Sequence, residues 1–124
     1  MGKQNRDDEV PLGKQKEKPW GYERPLAEFR GLFLKELFLR KDKPSSLHYH
    51  EEKDEFFYIV KGRVRVLLAD QELLLAAGDT LHIPPGQEHR IEPIQDTLIL
   101  ELGTRMFGDV IRVADDYNRA RREK

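Results

Sequence analysis

The sequence predicts an all-β domain, an antiparallel jelly-roll barrel, and three observations carry that expectation. From residue 45 onward, strand-like runs of four to seven residues recur at short intervals. They are separated by turn-forming pieces such as Lys61-Gly62, Ala76-Ala77-Gly78-Asp79 and Pro84-Pro85-Gly86. Within the runs, apolar and polar residues alternate: Val64, Val66 and Leu68 supply a core face, and Arg63 and Arg65 a wetter one.

Taken in order, residues 1–19 are polar, charged and interrupted by Pro11 and Pro19, so they read as a flexible N-terminal arm. Strand character begins at Leu26. Phe29 to Leu39 has a helix-compatible composition, but Gly31 and the Lys41-Asp42-Lys43-Pro44 turn favour two strand segments or one bulged strand. Strands are then expected at about 45–50, 55–60, 63–69, 72–75, 80–83, 88–92 and 97–102, with a short final strand over 109–113. The single domain is therefore placed at 20–114, followed by a charged tail at 115–124 with the composition of a short helix or a frayed end.

Composition narrows the function classes. Lysine and arginine total 22 against 23 acidic residues, a formal charge of -1, which gives no global reason to expect nucleic acid or an anionic membrane as partner. Cysteine is absent, so disulfides and thiolate chemistry are excluded. The first nine residues contain no apolar signal core and no run approaches membrane-spanning length, so a cytoplasmic location is the expectation.

Three of the four histidines fall into one pattern. His48 and His50 are two apart, so on an extended strand both imidazoles leave the same face while Tyr49 leaves the other. An acidic turn then returns the chain to Glu55 at the start of the next strand. Two imidazoles and a carboxylate are a normal ligand set for a divalent transition ion. His89 follows the stiff Pro84-Pro85-Gly86 turn where another strand begins, and completes a four-ligand set of His48, His50, Glu55 and His89. One divalent ion per chain is expected, and Zn, Mn, Fe, Ni and Co are all compatible with these ligands.

These residues carry a family resemblance. His48, His50, Glu55 and Gly62 resemble the first cupin motif, and Gly78, Pro84, Gly86 and His89 resemble the second. The resemblance implies the cupin-type double-stranded β-helix and a metal held by the four ligands. The chain departs from the pattern at Asp42, where a glycine is usual, and at Pro93, where an asparagine is usual; both departures concern turn geometry and pocket shape.

A narrower likeness runs from Lys18 to Arg119. Lys18-Pro19-Trp20-Gly21, His89-Arg90-Ile91-Glu92, Leu100-Glu101-Leu102-Gly103 and the stretches Gly108 to Arg112 and Asp115 to Arg119 resemble the cupin domain of the bifunctional phosphomannose isomerase and mannose-1-phosphate guanylyltransferase family. That resemblance implies a stand-alone relative of the isomerase domain, acting on a sugar or sugar phosphate, with Zn or Mn in preference as its metal. By position it implies Glu101 for proton transfer or hydroxyl binding, and Arg90 and Arg112 for contact with a substrate anion. Strict alternation turns Arg90 away from His89, so its role requires a bulge, a curved rim or a neighbouring subunit.

Two rival readings share the ligand set: an Fe-dependent dioxygenase and a non-enzymatic carbohydrate-binding cupin. His82 has no place in either motif and is read as an ordinary strand or surface histidine. Trp20 and Tyr22 are expected to contact sugar or to pack the N-terminal strand, and the phenylalanines at 29, 33, 38, 56 and 57 are expected in core and interface. A homodimer is expected, because a small barrel commonly protects an edge by pairing or strand exchange.

Overall fold

The structure, a computed structural model, describes residues 12–104 and 109–122. The first eleven residues of the expected arm, residues 105–108 and the last two of the tail lie outside the described residues. Eleven strands follow in chain order: β1 (Lys16–Lys18), β2 (Gly21–Phe29), β3 (Leu32–Leu39), β4 (Leu47–His50), β5 (Glu55–Lys61), β6 (Arg63–Leu68), β7 (Glu72–Ala76), β8 (Thr80–Ile83), β9 (His89–Pro93), β10 (Thr97–Gly103) and β11 (Val110–Ala114).

They form two antiparallel sheets, one of six strands in the order β1-β2-β3-β10-β5-β8 and one of five in the order β11-β4-β9-β6-β7. Alternation decides which residues lie between them. On β5, Glu55, Phe57 and Ile59 are buried while Phe56, Tyr58 and Val60 are exposed. The enclosed core includes Leu37, Leu39, Ile59, Ile83 and Ile99 from the larger sheet and Val64, Val66 and Ile91 from the smaller, with Trp20 added from the turn before β2. Burying the larger aliphatic side chains stabilises the sandwich by roughly 1.5–3 kcal/mol each before the entropy of ordering them is counted.

The turn between β5 and β6 shows how tightly the sheets are joined. Gly62 has φ +103°, and a Cβ there would sit 2.5 Å from the Asp96 carbonyl oxygen and 2.7 Å from Thr97 Cα. Only glycine fits both the backbone angle and the space.

Three expectations are corrected. Lys16–Lys18 of the expected arm is a strand, with Lys16 opposite Glu23 and Lys18 opposite Gly21. Strand character also starts at Gly21 rather than Leu26, and β2 pairs with β3 as a hairpin across Arg30-Gly31. In the tail no helix forms among the described residues: the chain turns at Asp116-Tyr117 and returns to bridge Ile111 with Arg122. The backbone groups of these polar segments are satisfied by pairing with a neighbouring strand, a signal that residue polarity does not carry. No helix is long and apolar enough to cross a membrane among the described residues.

Candidate metal centre and cavity

Register brings the histidines together. His48 on β4 lies directly opposite His89 on β9, and Arg112 on β11 lies directly opposite His48, so three inward side chains form a row across three strands. His50, two residues along β4, joins them from the same face. One ring nitrogen from each of His48, His50 and His89 can be chosen so that all lie within 4.8 Å of one another. The turn of the second motif is pinned to this strand, because Gly86 N–H donates to the His50 carbonyl at 2.7 Å.

Two of the imidazoles are oriented by carbonyls. His48 Nδ1 lies 3.0 Å from the Ser46 carbonyl and His89 Nδ1 lies 2.9 Å from the Gln87 carbonyl. With Nδ1–H donating in each, the Nε2 lone pairs are left for a ligand, the arrangement that metal-binding histidines adopt. Burial, reinforced by the neighbouring imidazoles His89 and His50, holds the His48 pKa well below the ordinary histidine value. Burial likewise lowers that of His89, although Glu55 opposes it. Both rings are therefore neutral near pH 7 and able to coordinate.

Glu55 enters from the other sheet. Its Oε2 is 3.0 Å from His50 Nε2 and 3.5 Å from His89 Nε2, yet it is buried without a hydrogen-bond partner. Burial raises a carboxyl pKa, but here Lys53 and then His50 outweigh it and hold Glu55 in the anionic form. An anionic oxygen facing imidazole nitrogens is satisfied when a cation lies among them, so the donors present fit a divalent ion. The three-histidine cluster is the metal-site candidate; Glu55 stands beside it.

A cavity of about 120 Å³ adjoins the cluster. On the six-stranded side its wall is charged, because Glu23, Lys35 and Glu101 occupy inward positions on β2, β3 and β10. Lys35 and Glu101 are cross-strand partners, and Lys35 Nζ is 3.3 Å from Glu23 Oε2. Lys53, from the loop between β4 and β5, reaches in to contact Glu101 Oε2 and lies 3.7 Å from Glu55 Oε1. Gly103 makes room for it, since a Cβ there would come within 2.8 Å of Lys53 Cε. The loop is held by Asp109, whose carboxylate accepts backbone N–H bonds from Glu51, Glu52 and Lys53 at 3.1, 2.9 and 2.8 Å.

The expected site residues divide. His48, His50, His89, Glu101 and Arg112 all line the cavity. Arg90 does not: alternation on β9 turns it outward, where its Nη2 bonds Asp116 Oδ2 at 2.6 Å. His82 is exposed and paired with Asp54 at 2.6 Å, as an ordinary surface histidine. Trp20 packs in the core and lines the cavity, whereas Tyr22 stacks on Phe38 with its hydroxyl on Glu36. Lys53, Lys35, Glu23 and Arg119 were not anticipated. Two of them had a readable signal, for Lys35 shares strand parity with Leu37 and Leu39, and Glu23 with Gly21 and Pro25.

Known proteins place these features in context. A mannose-1-phosphate guanylyltransferase of Sinorhizobium fredii is 32% identical over 104 residues, covering 80% of this chain but only 20% of that protein. Among solved structures, KdgF from a Halomonas species superposes with a TM-score of 0.70 at 22% identity, over 75% of this chain and 87% of that one. The capsular polysaccharide assembling protein CapF of Staphylococcus aureus gives a TM-score of 0.69 at 19% identity, over 87% of this chain and 33% of that one. These likenesses in structure establish the fold, the two-sheet double-stranded β-helix. Residues 39–102, more than half of the chain, match the Cupin domain family, and the chain belongs to it.

Proposed function

We propose that this chain is a metal-dependent, isomerase-like cupin acting on a sugar or sugar phosphate, in the manner of a mannose-6-phosphate isomerase. The observation that carries the reading is the meeting of two unlike walls at one cavity: a cluster of three imidazoles on one sheet, and a buried carboxylate, Glu101, backed by Lys53 on the other. The names of several relatives point the same way, since the Sinorhizobium relative handles mannose 1-phosphate and CapF serves polysaccharide assembly.

His48, His50, Glu55 and His89 would hold one divalent ion, Zn or Mn in preference to Fe, Ni or Co. Such an ion supplies Lewis-acid polarisation of a substrate oxygen. The remaining work belongs to the chain. Glu101 is the group that takes and returns a proton between adjacent carbons, which requires a seated substrate carbon within about 3 Å of its carboxylate. Lys53 keeps that carboxylate in one orientation and offsets its charge. Arg112, in register with His48, is suited to bind a substrate anion through paired N–H bonds. We also place the protein as a homodimer, supported by the apolar outer face of the larger sheet, where Phe56, Tyr58 and Leu102 are exposed together on β5 and β10.

The test is solvent-proton exchange. Metal-loaded protein incubated with hexose phosphates in D₂O should incorporate deuterium at the carbon next to the carbonyl, and Glu101→Gln should abolish it. Iron-dependent oxygen uptake without exchange would replace this reading by the dioxygenase one, and tight sugar binding with neither reaction would leave a binding module.

A further inference from the structure

The chain between His50 and Glu55 crosses from one sheet to the other, since His50 ends β4 in the smaller sheet and Glu55 begins β5 in the larger. Glu51-Glu52-Lys53-Asp54 make the crossing outside any strand, so ladder bonds do not fix its path. Asp109, beyond the residues that match the family, fixes it instead. Val110 lies opposite His50 at the end of the β11–β4 ladder, so the residue before Val110 comes level with the start of the crossing. There the successive N–H groups of Glu51, Glu52 and Lys53 converge on the Asp109 carboxylate, a backbone anion site filled by the chain's own side chain. Burial opposes the charge of Asp109, yet these bonds hold its pKa below the ordinary aspartate value. The far end of the crossing has a second tie: Asp54 N–H donates to Thr104 Oγ1 at 3.1 Å, and the Asp54 carbonyl accepts from Thr104 N–H at 3.1 Å.

The consequence falls on Lys53. A lysine in a solvated connection keeps its ammonium in water and its stem along the surface. Here the Lys53 N–H makes the buried one of the three bonds to Asp109, and the side chain runs inward past Gly103. Its ammonium then bridges Glu101 on β10 and Glu55 on β5. The backbone bonds to an ionised acceptor are roughly twice as strong as neutral ones, so the path of the crossing, and with it the origin of the Lys53 side chain, is set chiefly by Asp109. A displacement of about 1 Å in a group that aims a reacting carboxylate is enough to cost catalysis heavily.

We infer that Asp109 is a positioning residue: by fixing the backbone of Glu51, Glu52 and Lys53 it delivers the Lys53 ammonium to Glu101 and so aims the proton-transfer carboxylate into the cavity. The role of Glu101 rests on the isomerase reading above, whereas the delivery of Lys53 rests on geometry alone, and two readouts separate them. The first needs neither substrate nor metal. In isotope-labelled full-length protein, the Lys53 ammonium, buried against carboxylates, should give a side-chain NMR signal protected from solvent exchange, and Asp109→Ala should lose it. The second is deuterium incorporation into a hexose phosphate by the metal-loaded protein, where Asp109→Ala should lower kcat about 10-fold or more with KM little changed. Asp109→Asn keeps one acceptor oxygen, so it should keep the ammonium signal and recover part of the rate. Thr104→Val cuts the other side-chain tie on the same crossing and should match wild type in both readouts. A Lys53 signal that survives Asp109→Ala, equal losses in Asp109→Ala and Thr104→Val, or a change confined to KM overturns the role of Asp109. A wild type whose Lys53 signal depends on Asp109 but that exchanges no deuterium keeps the delivery of Lys53 and overturns the isomerase reading.

Discussion

Replacing Lys53 by methionine should be among the most damaging single changes in this chain. Lys53 is 5% exposed, and it faces two carboxylates, Glu101 at 5% and Glu55 at 2% exposure. Burial alone would lower the lysine pKa, but Glu101 and Glu55 together raise it, so the ammonium is retained in the folded state at all ordinary pH values. Removing the ammonium leaves a buried carboxylate without its cation, and breaking a buried pair from one side costs about 3–5 kcal/mol. Replacing both partners, as Lys53→Met with Glu101→Leu, removes the nearer of the two carboxylates that Lys53 faces and should recover part of that loss. The assay is urea denaturation of metal-free protein in the presence of a chelator, so that an ion near Glu55 does not compensate. A single-variant cost below about 1 kcal/mol, or a double variant as unstable as the single one, would refute the view that this pair is a coupled buried unit.

Gly62→Ala should cost at least about 2 kcal/mol, because it combines a left-handed backbone with a collision against the backbone at Asp96 and Thr97; a thermal melt near wild type would contradict the geometry. The return segment predicts a pH effect of definite sign. Asp115 is held down to about 2, first by the Arg119 side-chain bond, so its contribution is fully present above the ordinary aspartate value of 3.8 and is lost between 3.8 and about 2. Asp115→Asn should remove that part of the acid transition, and an unchanged profile between wild type and variant would count against the bond.

Much of the architecture was legible because it depends on period-two alternation and on turns. β5, β8 and β10 lie within a residue or so of the expected segments, and the pairing of His48 with His89 follows from two strands whose ends were readable from glycine and proline. The imidazole cluster was legible for the same reason, since spacing of two on a strand puts both rings on one face. What was not legible depends on neighbours distant in sequence. Lys53 sits in an acidic stretch that reads as a solvated turn, and becomes buried only because Asp109, fifty-six positions later, binds its backbone N–H and because Gly103 leaves space. Lys16–Lys18 becomes a strand only beside Gly21, Tyr22 and Glu23. Arg90 shows the converse, a residue placed in the site by likeness that strand alternation turns outward. Arg119 reads as part of a charged tail until Asp115 reverses the chain.

The most direct measurement is a metal titration of protein purified without added metal and stripped by a chelator, followed by calorimetry with Mn²⁺ and Zn²⁺ at mildly alkaline pH. One divalent ion should bind per chain, and His48→Ala or His89→Ala should weaken it by more than the roughly 10–100-fold that loss of an outer hydrogen-bond partner costs. A folded wild-type protein that binds neither ion, or histidine variants that bind as tightly as wild type, would contradict the proposed centre.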